Sequence, residues 1–222
     1  MILAKLKVGK STLMKKTSAS RLLRLKARSR STGDSWHNGG DMEILQYARS
    51  LQNAAKTLTG KLNLDKSDET GWDICPVVLL YRQALEIHLK MVVGEGSNFL
   101  PSPTDPVSLS TTHSLRWLAQ IACQIIKAVK WESEFKCEGV SSLAGFSAVV
   151  SEVEAFDPVG RVIRSAGSPN CASEFLRNFD IFRFATKLDA LLQLLDSTAD
   201  ALAAEWDQRT DFCGGDFSRT IQ

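Results

Sequence analysis

The stretch DICPVVLLYRQALEIHLKMVVGEG, residues 73–96, decides the fold. Val77, Val78, Leu80, Tyr81, Ala84, Leu85, Ile87, Leu89, Met91 and Val92 cover most of a helical circumference, and Gly94 and Gly96 mark its end. A helix apolar nearly all the way round is one that other helices surround. Asp73 is placed to cap it, and Pro76 falls in a first turn whose backbone N–H groups lack intrahelical partners anyway. Residues 73–93 are therefore expected to form the central, water-excluded rod of the protein.

Working outward, residues 42–58 carry Ile44, Leu45, Ala48, Leu51, Ala55 and Leu58 at helical spacing. Three prolines, Pro101, Pro103 and Pro106, mark residues 97–110 as a loop. Thr112 or Ser114 can cap a third helix with Leu115, Leu118, Ala119, Ala122, Ile125, Ile126 and Val129 on its inner face. A fourth helix shows Leu143, Phe146, Val149, Val150, Val153 and Phe156 to the core and stops before Asp157-Pro158. Residues 157–176 read as an extended hairpin or an ordered loop around Arg161 and Arg164. A long last helix spans residues 178–208. The expected fold is all-α, a bundle of four to five helices with a short extended hairpin at 157–176 as its one departure.

Charge divides the chain. Residues 1–33 hold ten Lys/Arg and no Asp or Glu, which leaves 17 basic against 25 acidic residues in the remainder, a net charge near −8. Residues 1–41 thus read as a basic leader and linker, able to contact nucleic acid or an anionic surface. Residues 42–210 form the helical domain, and residues 211–222 a flexible tail. The acidic body lacks the clustered cations that bulk phosphate binding requires.

Sequence excludes several chemistries. No run of 18 apolar residues occurs, so none is long enough to span a bilayer as a helix. Five cysteines, Cys75, Cys123, Cys137, Cys171 and Cys213, are scattered without a CxxC pair, which argues against a zinc site or a disulfide framework and suits a cytoplasmic setting. Residues 4–11 match a relaxed phosphate-loop pattern, but no strand precedes them and no βαβ unit follows. No metal or cofactor is expected. Histidine is scarce, with only His37, His88 and His113.

On the central helix Arg82, Glu86 and Lys90 form one polar stripe with Gln83 beside it. Polar groups on the most apolar helix must find partners when water is removed, so a network with the third helix or the 157–176 loop is the first expectation. His88 lies on the apolar side near Tyr81 and Val92, where a core histidine satisfied by the backbone is expected.

The run Tyr81-Arg82-Gln83-Ala84-Leu85-Glu86-Ile87-His88-Leu89-Lys90 resembles the signature helix of bacterial HEPN-like helical proteins. His113 at a helix start, Phe156-Asp157 followed by Arg161 or Arg164, and a long closing helix continue the resemblance over residues 42–208. It implies a helical bundle, often dimeric, from a bacterial cytoplasm. Active relatives are metal-independent endoribonucleases of toxin–antitoxin or defence systems. In them an arginine stabilises phosphate charge and a histidine moves a proton at the ribose 2′-hydroxyl. Carried over, those roles fall on Arg82 with His88 or His113. In one unbroken helix Arg82 and His88 diverge by about 120°. The leading expectation is therefore a noncatalytic accessory or interaction protein that binds a partner protein or a second copy, and the alternative is the ribonuclease, with RNA as substrate. A third reading tethers the protein to an anionic membrane or nucleic acid through its basic arm.

Overall fold

A computed structural model of the chain describes residues 39–62, 74–156 and 179–214. It is all-α: α1 (Gly39–Thr59), α2 (Cys75–Gly96), a 3₁₀ turn (Ser97–Phe99), α3 (Pro106–Thr111), α4 (Leu115–Ala128), α5 (Leu143–Phe156) and α6 (Ile181–Gly214). No strand is present among the described residues, where one isolated bridge joins Cys137 to Val140. The basic leader, the hairpin expected at 157–176 with Arg161 and Arg164, and residues 215–222 lie outside the described residues.

Helix α2 is the axis of assembly. Helices α1, α4 and α6 all pack on it, α5 leans on α4, and α1 also meets α6. Only Pro76 and Gly94 of α2 are exposed. Its length answers to composition, because the good helix formers Leu79, Leu80, Ala84, Leu85, Glu86, Leu89 and Met91 fill its middle and no Gly or Pro interrupts residues 77–93. The surrounding core joins Val78, Leu85 and Leu89 of α2 to Leu118 and Ile125 of α4, and to Leu188 and Leu195 of α6. Tyr81 meets Phe184 of α6 edge to face, with ring centroids 5.9 Å apart.

Several boundaries depart from the sequence reading. Helix α1 starts at Gly39, before Met42, so the end of the expected linker is helical. Glycine costs little in a first turn, where the N–H groups have no intrahelical partner in any case. The N-cap position of α2 is Ile74 rather than Asp73, and no side chain caps it. That register brings Pro76 to the second helical position, where its missing N–H breaks no bond. The expected loop at 97–110 contains α3, because Pro106 stands at a helix start and the Asp105 carboxylate accepts from the N–H groups of Val107 and Ser108. Counting α3, six α-helices stand among the described residues, against the four to five expected.

At its far end α6 runs past residue 208 to Gly214. Arg209 Nε bonds Glu205 Oε1 one turn back at 3.2 Å, and its guanidinium lies 4.8 Å from the Phe99 ring centre. The 3₁₀ turn thereby supports the last turns of α6. Helix α4 closes with the N–H of Trp131 donating to the Ile126 carbonyl at 3.0 Å, which places Lys130 in the left-handed region at φ 61°. Gly96 has a different task from ending a helix: a Cβ there would collide with the Ile125 side chain, so glycine lets α2 and α4 approach closely.

Candidate functional site

The polar stripe of α2 turns inward toward the start of α4. Arg82 is 1% exposed, and its guanidinium donates from Nη1 to Glu86 Oε2 at 3.2 Å and from Nη2 to the His113 carbonyl at 3.1 Å. Glu86 Oε1 accepts from Lys90 Nζ at 3.0 Å and pairs with His113 Nδ1 at 2.9 Å. Lys90 also donates to the Ser110 carbonyl at 3.2 Å, so α3 and the α3–α4 junction are bound to the stripe. One buried carboxylate gathers two cations and an imidazole.

Burial alone would raise the Glu86 carboxyl, but the hydrogen bonds from His113 and Lys90, and their charges, outweigh it and hold the group below its ordinary value. Glu86 is thus an ionised acceptor, and His113 Nδ1 must be the donor to it. In the neutral ring the Nε2 of His113 then carries the lone pair. Its side chain is 57% exposed, so this is an oriented imidazole open to solvent.

A second carboxylate fixes the same corner. Glu154 of α5, buried beside Val150 and Val153, accepts from Ser114 Oγ at 3.0 Å and from Arg116 Nε at 2.9 Å. Ser114 is the N-cap of α4, its Oγ accepting from the Trp117 N–H at 3.3 Å, and the Thr112 hydroxyl accepts from the Ser114 N–H at 3.3 Å. Of the two candidate caps Ser114 is the one used, while Thr112 ends α3 and holds the Ser114 backbone. Sequence reasoning passed over Glu154 and Arg116, although a glutamate at an apolar position of α5 was the available signal.

The structure brings Arg82, Glu86, Lys90 and His113 together and sets His88 apart. His88 is 2% exposed, and its Nδ1 donates to the Ala84 carbonyl at 2.8 Å. Burial, first among its causes, holds its pKa below the ordinary value. The ring faces α1 and α6 rather than α4, lining a half-open cavity of about 230 Å³ with Arg49, Gln52, Lys56 and Asp196. Arg161 and Arg164 fall outside the described residues.

Other chemistries gain nothing from the geometry. Among the described residues no group of three or more His, Cys, Asp or Glu is arranged to hold a metal ion. Cys75, Cys123 and Cys137 are free, and burial pushes each thiol upward, against the thiolate that a nucleophile requires. No helix among the described residues is long and apolar enough to cross a membrane. Comparisons with protein-family models, with curated proteins and with solved structures give no match.

Proposed function

We propose that the chain is a noncatalytic, HEPN-like helical interaction protein of the bacterial cytoplasm that pairs with a second copy through α1. The observation that carries this reading is the state of Arg82. A catalytic arginine must meet the phosphate of its substrate, whereas this one is 1% exposed and bound through both terminal nitrogens. Releasing it to an RNA phosphate requires breaking a buried ion pair, at a cost of several kcal/mol, on the order of 3–5. The arginine that resembles the catalytic one is better suited to hold α2 against the start of α4.

Helix α1 offers what an interaction protein needs. Ile44, Tyr47 and Leu58 are exposed, and with the half-buried Leu51 they form a stripe beside the buried face of Leu45, Ala48 and Ala55. At 1.5 Å per residue the stripe is about 21 Å long. A second copy laid antiparallel across Leu51 sets Ile44 against the partner's Leu58 and Glu43 opposite the partner's Thr59, with the partner's Lys61 two residues further on within side-chain reach of Glu43, a charge match that favours this occupant.

The ribonuclease reading retains one favourable observation, the exposed His113 held by Glu86. One set of measurements separates the two. The full chain, sized by light scattering and incubated with RNA in excess EDTA, is expected to be dimeric and to leave RNA intact. Tyr47→Glu is expected to be monomeric with unchanged helicity. Metal-free cleavage that disappears in His113→Ala would establish the enzyme instead, and a wild-type monomer at about 50 µM would remove the α1 interface.

A further inference from the structure

The cavity beside His88 belongs neither to the Arg82 network nor to the apolar stripe. Three helices build it, with α2 as the floor, α1 as one wall and α6 as the other. Two ion pairs join the walls: Arg49 Nη2 reaches both carboxylate oxygens of Asp196 at 3.0 and 2.9 Å, and Lys56 Nζ lies 3.5 Å from Asp189. Gln52 Nε2 donates to Asp189 at 2.8 Å. On the floor, His88 has spent its Nδ1 proton on the Ala84 carbonyl.

Hydrogen-bonding capacity is left over, and it is sorted by position. Inside, the neutral His88 ring offers the lone pair of Nε2, and Gln52 offers Oε1; no donor among the described residues reaches either atom. Toward solvent, Arg49 keeps its Nε and Nη1 hydrogens, because both of its bonds to Asp196 come from Nη2. Lys56 sits at a long separation from Asp189 and keeps donors as well. Unused acceptors of His88 and Gln52 line the inner end, and unused donors of Arg49 and Lys56, beside the Asp196 carboxylate, line the outer end.

From this polarity we infer that the cavity is a binding site for a small zwitterion, a free α-amino acid, with its ammonium group toward His88 Nε2 and Gln52 Oε1 and its carboxylate toward Arg49 and Lys56. Charge balance decides for a zwitterion over a simple ion. Arg49 and Lys56 are offset by Asp196 and Asp189, so a lone anion or cation leaves a net charge in a partly desolvated site, whereas a zwitterion leaves none. Size agrees: at about 230 Å³ the space is below the ~300–1,000 Å³ of sites for drug-sized ligands. The buried histidine supplies the independent pointer: His88 is 2% exposed, yet its Nε2 is not sealed in protein, since among the described residues only Tyr81 Oη is buried without a partner, so the free nitrogen opens onto the cavity where water or a ligand meets it. This site does not depend on whether the chain acts on RNA.

The test uses the full chain at neutral pH. Each proteinogenic amino acid at about 10 mM is screened by thermal melting, and any that raises Tm is titrated by calorimetry, with acetate and ethylammonium as the two separate halves of the zwitterion. At least one amino acid should bind saturably while neither half does so alone. His88→Phe, which keeps an aromatic ring but removes the acceptor, and Arg49→Gln on the surface should each weaken binding about tenfold or more. Arg49→Gln keeps the test decisive if His88→Phe does not fold. The inference is overturned if no amino acid binds, if acetate binds as tightly as the best amino acid, or if folded Arg49→Gln binds like the wild type.

Discussion

Replacing Glu86 with glutamine tests the network with almost no change of shape. Glu86 Oε2 receives Arg82 at 3.2 Å, and Oε1 receives Lys90 at 3.0 Å and His113 at 2.9 Å. A glutamine offers one acceptor oxygen and one donor amide in place of those two oxygens. Lys90 and His113 retain access to water, with side chains 22% and 57% exposed, whereas Arg82 at 1% has none. The amide oxygen therefore turns to Arg82, and the NH₂ displaces Lys90 and His113 toward solvent. The guanidinium keeps a hydrogen bond but loses the negative charge of Glu86. That cost lies below the ~3–5 kcal/mol of deleting a buried partner and near the ~1.5–3 kcal/mol of one charged hydrogen bond, so about 2–3 kcal/mol is expected. With a urea slope of roughly 2 kcal/mol/M, the unfolding midpoint followed by circular dichroism should fall by about 1–1.5 M at neutral pH.

The same variant carries a pH signature. The folded-state pKa of Glu86 lies below its ordinary value of 4.5, so its ionised form adds stability above that value, and the contribution disappears as pH falls through the lower folded value. The gap between wild type and Glu86→Gln should be constant at neutral pH and close as pH drops below about 4.5. A midpoint change under ~0.3 M at neutral pH, with a native spectrum, would refute the claim that Glu86 balances the buried arginine.

Other perturbations address single elements. Gly96→Ala drives a Cβ into Ile125, with Cδ1 at 2.9 Å, and should lower stability by about 1–3 kcal/mol in chemical denaturation despite the better helix propensity of alanine. Ser114→Ala removes the α4 cap and a donor to buried Glu154, an expected loss of about 1–2 kcal/mol by the same assay. Lys130→Gly relieves a non-glycine residue at φ 61° and should raise Tm, consistent with a gain of about 1 kcal/mol. Because burial lowers the folded-state pKa of His88, the unfolded chain takes up a proton first as pH falls below 6.5. Wild-type stability should therefore decline below that pH, and a denaturation series of His88→Gln should lack this component.

The sequence by itself determined that this protein is helical and which helix the others surround. Helical periodicity is local: residues three and four apart share a face whatever lies opposite, so the apolar run at 77–92 could be assigned before any partner was known. Local chemistry also narrowed the cap of α4 to Thr112 or Ser114, of which the structure uses Ser114. The Asp105-Pro106 start was equally local, but three prolines in 97–110 outweighed it in the reading. The pairing of charges was another matter. Glu86 meets His113, Glu154 meets Arg116, and Arg49 meets Asp196 across 147 residues, none of them at a spacing that the chain repeats. Such contacts depend on the angle and depth at which one helix lies on another, set by the close approach at Gly96 and the volumes of the whole core. Only the tertiary structure could decide that Arg82 is buried against a carboxylate, and that His88, six residues on, faces a different cavity.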